Sequence, residues 1–255
     1  MNCHCEKHGI DYEYVTGKRL TSPQGYLEGW ADCPKCQEEY RQRCFSRNVQ
    51  TAHIPPRFVG KGFDSFVATT PAQRCVLEVA RDYVDRFPEH KAAGRCLVFC
   101  GKVGTGKTLL ASVIASTLIL AERQVFYATA KELILWIRSA WLKDSEEDEG
   151  KILRRIQKFD LLILDEIGVR SGGDADVQVL TDVIDRRYRE IRPTLVVSNY
   201  SMEDMGKFLD DRGVDRLKEN GGKVAIFNWE THRPQSEAQM PVIADISNRE
   251  QIETG

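Results

Sequence analysis

Along the 255 residues of this chain, short unbroken apolar runs alternate with longer stretches whose apolar residues return every third or fourth position. Cys96 to Cys100, Gln124 to Ala128, Asp160 to Glu166, Thr194 to Asn199 and Lys223 to Asn228 read as five strands. Runs of that length with little polar alternation suit strands buried on both faces. Helical spacing is expected from Pro71 to Phe87 (Val76, Leu77, Ala80, Tyr83, Val84) and from Thr108 to Ala121 (Leu109, Leu110, Val113, Ile114, Leu118). The same spacing marks Ala130 to Leu142 (Leu133, Ile134, Ile137) and Asp176 to Ile191 (Val179, Leu180, Val183, Ile184, Tyr188). Strands that alternate with helices predict an α/β fold: a five-stranded parallel sheet, doubly wound, with its ligand at the carboxyl ends of the strands.

Ahead of this pattern the chain is different. Ile54-Pro55-Pro56-Arg57 breaks any helix, because proline lacks an N–H and restricts the residue before it, so a domain boundary is expected near residue 51. Residues 37–50 are polar, with Tyr40, Cys44, Phe45 and Val49 spaced as in a short linker helix. The expected organisation is a small module and linker over residues 1–50, a large domain over 51–233, and a polar tail over 234–255 that is expected to be disordered.

Charge changes the picture little. With 36 Lys and Arg against 38 Asp and Glu there is no global basic field, and any contact with nucleic acid must use a local patch. No apolar run approaches the roughly 20 residues that cross a bilayer, and the first residues lack a signal peptide's apolar region, so a cytoplasmic protein with no membrane partner is expected. Five of the eight cysteines fall in the first 44 residues. In a cytosolic protein that clustering argues for metal ligation over disulfides. Cys5-Glu6-Lys7-His8 followed by Cys33-Pro34-Lys35-Cys36 offers two close pairs that can converge on one tetrahedral Zn²⁺, which would hold together a segment too small for a core of its own. Cys3 is an alternative to Cys5 in the first pair.

The most informative stretch is Gly101-Lys102-Val103-Gly104-Thr105-Gly106-Lys107-Thr108. It has the form G-x-x-x-x-G-K-T, with a strand before it and a helix after it, as a phosphate cradle requires. Backbone N–H groups from Gly101 to Thr108 would turn towards the phosphates of ATP, Lys107 would reach the β and γ oxygens, and the Thr108 hydroxyl would face Mg²⁺. The second stretch is the acid pair that ends Asp160 to Glu166. Asp165 would hold Mg²⁺ through water and Glu166 would polarise the attacking water. Neighbouring residues of a strand point to opposite faces, so one of the two acids is expected past the strand's end, where the chain bends. Asn199, ending the fourth strand, emerges at the same edge, where it would position the water or cap the next helix. Arg212 and Arg216 share a face if their segment is helical. Trp136 and Trp141, with Lys131, Arg138 and Lys143, would pack the core or a subunit contact, or meet single-stranded DNA by stacking; packing is favoured. Residues 144–149 read as a solvated acidic loop.

In this order, the cradle, Leu164-Asp165-Glu166-Ile167-Gly168, Val197-Ser198-Asn199, Asp215-Arg216-Leu217 and Phe227-Asn228-Trp229 with Arg233 resemble the bacterial DnaC-type helicase loaders and the related IstB-like ATPases, within the AAA+ class of P-loop NTPases. The resemblance covers roughly residues 54–233. It implies an ATPase that loads a DnaB-type replicative helicase onto single-stranded DNA as an ATP-dependent homo-oligomer. Asn199 would be sensor 1, Arg216 the arginine finger with Arg212 as fallback, and Arg233 the sensor 2 arginine. Residues 1–50 look like the zinc-bearing helicase-binding modules of Gram-positive and phage loaders rather than the zinc-free module of the enterobacterial loader. In these loaders the loop after the acid strand helps hold single-stranded DNA, and here Arg170 to Asp174 offers one cation and no aromatic. As in them, the chain looks too short for the usual AAA+ helical lid. The rival readings are a transposition helper ATPase that binds duplex DNA and a nucleotide-dependent DNA-binding switch with little hydrolysis.

Overall fold

The computed structural model describes residues 2–13, 33–36, 39, 52–142, 147–168 and 173–230. The expected linker helix over 37–50 (apart from residue 39), the loop Arg170 to Gly172, Lys143, Arg233 and the tail 234–255 lie outside the described residues. At the amino end, β1 (Asn2–Cys5) and β2 (Ile10–Glu13) pair antiparallel as a two-stranded hairpin. Among the described residues no helix is long and apolar enough to cross a membrane.

The larger unit is built on β3 (Leu97–Gly101), β4 (Val125–Thr129), β5 (Leu161–Ile167), β6 (Thr194–Ser198) and β7 (Lys223–Phe227). All neighbouring pairs are parallel, in the order β4-β5-β6-β3-β7, as the alternation of strands and helices predicts. Each central strand is apolar on both faces. Leu97, Phe99, Ile163, Leu195 and Val197 join one core, under α1 (Pro71–Asp85) and α3 (Lys107–Leu120). Val98, Leu162, Leu164 and Val196 join the other, under α4 (Ala130–Ser139), α5 (Glu149–Lys158), α6 (Asp174–Arg189) and α7 (Gly206–Lys218). Helices therefore cover both faces, which leaves the ends of the strands for chemistry.

Local chemistry explains where the elements differ from expectation. The helix expected from Pro71 to Phe87 ends at Asp85, and α2 (Phe87–Ala93) begins afresh after Arg86, because Pro88 in the first turn has no N–H to continue the earlier ladder. α1 and α4 start with capping boxes, Thr70 with Gln73 and Thr129 with Glu132. The supposed acidic loop partly belongs to a helix: Asp148 caps α5 by accepting from the N–H of Lys151 at 2.8 Å, and Ile152, Leu153 and Ile156 are its buried face. The acid pair does not straddle the strand's end. Both acids lie within β5, because a bulge between Leu164 and Ile167 absorbs one residue, with Glu166 at φ +59°.

Arg187 is fully buried and, among the described residues, is held by carbonyls rather than by a carboxylate ion pair. Its guanidinium donates to the carbonyls of Ile156 and Pro193 at 2.7 Å each, and to Phe159 at 3.2 Å. It thus satisfies carbonyls at the end of α5 and before β6, and burial pulls its pKa down to about 10. His90, in α2, is also buried, stacked on Tyr83 with ring centroids 4.9 Å apart. Neither ring nitrogen makes a hydrogen bond, and Asp82 is 3.7 Å away. Burial lowers its pKa, Asp82 opposes this, and Lys223, Arg95 and Arg86 reinforce it. The unfolded chain then takes up this proton at a higher pH than the folded one, so the contribution of His90 to stability is complete above about pH 6.5 and is lost as pH falls below it. Thermal midpoints at about pH 7.5 and about pH 5.5 should differ more for the wild type than for His90→Gln; equal differences would contradict this account of His90.

Candidate functional site

The cradle is shaped by what lies against it. At Gly101 the chain turns with φ +124°, and a Cβ there would sit 2.3 Å from the carbonyl oxygen of Phe227, so only glycine fits. The same carbonyl accepts from the N–H of Lys102 at 2.9 Å, which ties the loop to the end of β7. Gly106, at φ +99°, has the Phe66 ring where a side chain would go, 2.7 Å from a built Cβ. The Trp229 indole N–H donates to the carbonyl of Thr105 at 3.2 Å, and the Thr105 hydroxyl donates to the carbonyl of Lys102 at 2.7 Å. Lys107 opens α3 and is buried; its ammonium donates to the carbonyls of Gly101 at 2.7 Å and Lys102 at 2.6 Å. Burial lowers its pKa to about 8, against the opposing pull of the Asp165 carboxylate. Thr108 follows it at half-buried depth, while Val103 is exposed and Thr105 is buried. A helix start, whose first N–H groups have no partner within the helix, beside a buried ammonium is chemically suited to an anion.

Asp165 is buried, and both of its oxygens are held. The Tyr127 phenol of β4 donates to one, and the N–H of Glu166 to the other at 2.7 Å. The bulge separates the roles of the two acids: Asp165 stays fixed in the sheet and Glu166 turns its carboxyl outward. Partial burial, then the charges of Asp165 and Glu132, raise the pKa of Glu166. A carboxylate of raised basicity beside a fixed one is suited to taking a proton from water. Asn199 is half-buried directly after β6, which lies between β3 and β5, so it follows the strand between the loop and the acids. The sheet order therefore brings Gly101 to Thr108, Asp165, Glu166 and Asn199 to one edge.

Other expected site residues lie elsewhere. Arg212 and Arg216 do share a helix, α7, and both pair with Asp185 of α6. Trp136 packs on Phe126 at 5.4 Å, with the Arg155 guanidinium 5.4 Å from its ring, as the packing reading requires. Trp141 is 55% exposed and spends its indole N–H on Glu149 at 2.7 Å. Tyr127 was missed in the sequence, where it is one aromatic inside an apolar run.

At the amino end, the ligand atoms of Cys5, His8, Cys33 and Cys36 all lie within 4.8 Å of one another. Nδ1 of His8 is 3.5 Å from the Cys5 sulfur, 3.7 Å from that of Cys33 and 3.4 Å from that of Cys36, and the Cys5 and Cys36 sulfurs are 3.7 Å apart. A tetrahedron of ligands at about 2.0–2.3 Å from Zn²⁺ has edges of about 3.3–3.8 Å, and these four separations fall in that range, so the donor set suits that ion. Nε2 of His8 meets Glu39 at 2.9 Å, leaving Nδ1 to the metal side. The purified protein should carry about one zinc per chain by elemental analysis, with most of it lost in Cys36→Ser and none in Cys3→Ser; metal-free wild type, or loss in Cys3→Ser, would contradict this ligand set.

Comparison with known proteins places these features in context. Residues 35–236 match the family described as IstB-like ATP binding protein. The chain is 30% identical over 220 residues to the replicative helicase loader DnaC of Escherichia coli (strain K12), covering 86% of this chain and 88% of that one. Among solved structures, the DnaC helicase loader superposes with a TM-score of 0.60 at 21% identity, over 68% of this chain and 99% of that one. AMPPCP-bound DnaA from Aquifex aeolicus superposes with a TM-score of 0.57 at 18% identity, over 70% of this chain and 52% of that one. At those identities the structural likeness speaks for the fold, an AAA+ P-loop fold.

Proposed function

The chain belongs to the family of IstB-like ATP-binding proteins, and from that membership and its site we propose an ATPase that loads a DnaB-type replicative helicase onto single-stranded DNA. The observation that carries the reading is the likeness to DnaC, a replicative helicase loader, over most of both chains. In support of it, the strand order brings the loop after β3, the acids of β5 and Asn199 after β6 to one edge of the sheet.

In this proposal Lys107 and the N–H groups from Gly101 to Thr108 hold the triphosphate of ATP, and Thr108 and Asp165 hold Mg²⁺. Thr108 and Asp165 would hold the metal, which would supply charge neutralisation at the phosphates. Tyr127 and the N–H of Glu166 keep Asp165 in place for that task. Glu166 takes the proton of the attacking water, which its raised pKa favours, and Asn199 orients that water. Arg216, with Arg212 as fallback, is offered to the nucleotide of a neighbouring copy, and Arg233 acts as the sensor 2 arginine. A cation delivered in this way contributes about 10³ to 10⁵ in rate, so assembly gates turnover. The zinc module of Cys5, His8, Cys33 and Cys36 is the grip on the helicase.

Mixing the protein with a purified DnaB-type helicase and ATP should give a defined complex by native mass, and Cys33→Ser with Cys36→Ser should abolish it. Undiminished binding by that double variant would remove the zinc module as the grip, and no complex with the wild type would remove the loader reading. Glu166→Gln should bind ATP as the wild type does while its turnover falls about 100-fold or more; turnover within a few-fold of wild type would move the general base elsewhere.

A further inference from the structure

Arg212 and Arg216 are held within their own subunit. Both approach the same buried atom. The Asp185 side chain is 4% exposed, and its Oδ1 lies 2.9 Å from Nη2 of Arg212 and 3.5 Å from Nε of Arg216, both on α7. Its other oxygen is held at 2.9 Å by Arg189, one turn further along its own helix. Neither α7 guanidinium makes a directed hydrogen bond to Oδ1, and Nε of Arg216 is itself buried without one. Arg216 is further steadied by Glu219 at 3.0 Å and by the face of Tyr188, 4.3 Å from its guanidinium carbon. Arg212 is 59% exposed.

A buried carboxylate is costly unless a cation stays beside it, and removing its last partner costs far more than removing one of several. Here one carboxylate has three. Two share an oxygen through undirected contacts, and the third holds the other oxygen from within the same helix. One α7 arginine can therefore leave while Asp185 remains neutralised. We propose that Asp185 is the positioning residue of this arginine pair: it aims both guanidinium groups from α6 and lets one pass to a neighbouring copy's nucleotide while the other stays. The proposal rests on the trans-arginine reading given above, and it adds a residue that touches no nucleotide in either subunit.

The test is subunit complementation. Asp185→Asn removes the charge and keeps the shape; it should bind ATP as tightly as wild type, with assembly-dependent kcat falling at least about tenfold. Lys107→Ala has a disabled cradle and intact arginines. Mixing the two should restore turnover, because Asp185→Asn sites then receive arginines from Lys107→Ala neighbours; a variant that merely weakens its own subunit's fold is not rescued in this way. Arg212→Gln, at an exposed position, guards against failure of Asp185→Asn to fold: it leaves Arg216 as the last cation on Oδ1 and should also lower kcat, with the same rescue. Wild-type kcat in Asp185→Asn or in Arg212→Gln, or low activity without rescue, would overturn the proposal. The double variant Arg212→Ala with Arg216→Ala separates the two levels: wild-type turnover there overturns the trans-arginine reading and this proposal with it, whereas its loss alongside a fully active Asp185→Asn overturns the proposal alone.

Discussion

The doubly held carboxyl group of Asp165 is the constraint around which this edge of the sheet is built. A buried carboxyl group is costly unless its oxygens are satisfied, and here the phenol of β4 and the N–H of the next residue do so from inside the sheet. That arrangement needs β4 beside β5, in register, with Ala128 opposite Leu164 and Thr129 opposite Asp165. It also needs β6 to let Glu166 bulge out, since Ile167 returns to pair with Ser198. The cradle lies one strand beyond β6, fixed to β7 through Gly101, Lys102 and the Phe227 carbonyl. The loop and the acids are thus positioned by strand pairing rather than by direct contact.

A second set of buried charges organises the helical layer on the other face. Arg187 and Asp185 lie two residues apart on α6, yet they face different partners. Arg187 turns to carbonyls around the ends of α5 and β6, where a buried cation is matched by oxygen dipoles. Asp185 turns to α7 and gathers arginines. The first contact set is directed and buried, which suits a fixed joint; the second is shared and partly exposed, which leaves its arginines freer to move.

Much of this was legible in the sequence, for identifiable reasons. Central strands buried on both faces appear as unbroken apolar runs, and the cradle is legible because its glycines and Lys107 must occupy fixed spacings. The Cys/His pairs of the amino end are legible for the same reason. What the sequence hides is whatever depends on another element. α5 is mostly polar, with a buried face of only three residues, so its charged surface masked its periodicity. The adjacent acids signalled a bend, but not that a residue at φ +59° would keep both inside the strand. Tyr127, Glu39 and Asp185 look ordinary in one dimension; each acquires a role only from a partner on a neighbouring strand, turn or helix.

The central claim is that the turn before Lys107 and the carboxylates at 165 and 166 together bind a magnesium nucleotide. Calorimetric titration of the folded protein with ATP measures this most directly. The account predicts about one nucleotide bound per chain in the presence of Mg²⁺, with affinity falling at least about tenfold when Mg²⁺ is chelated. Absence of binding with Mg²⁺ present, or an affinity indifferent to Mg²⁺, would contradict it.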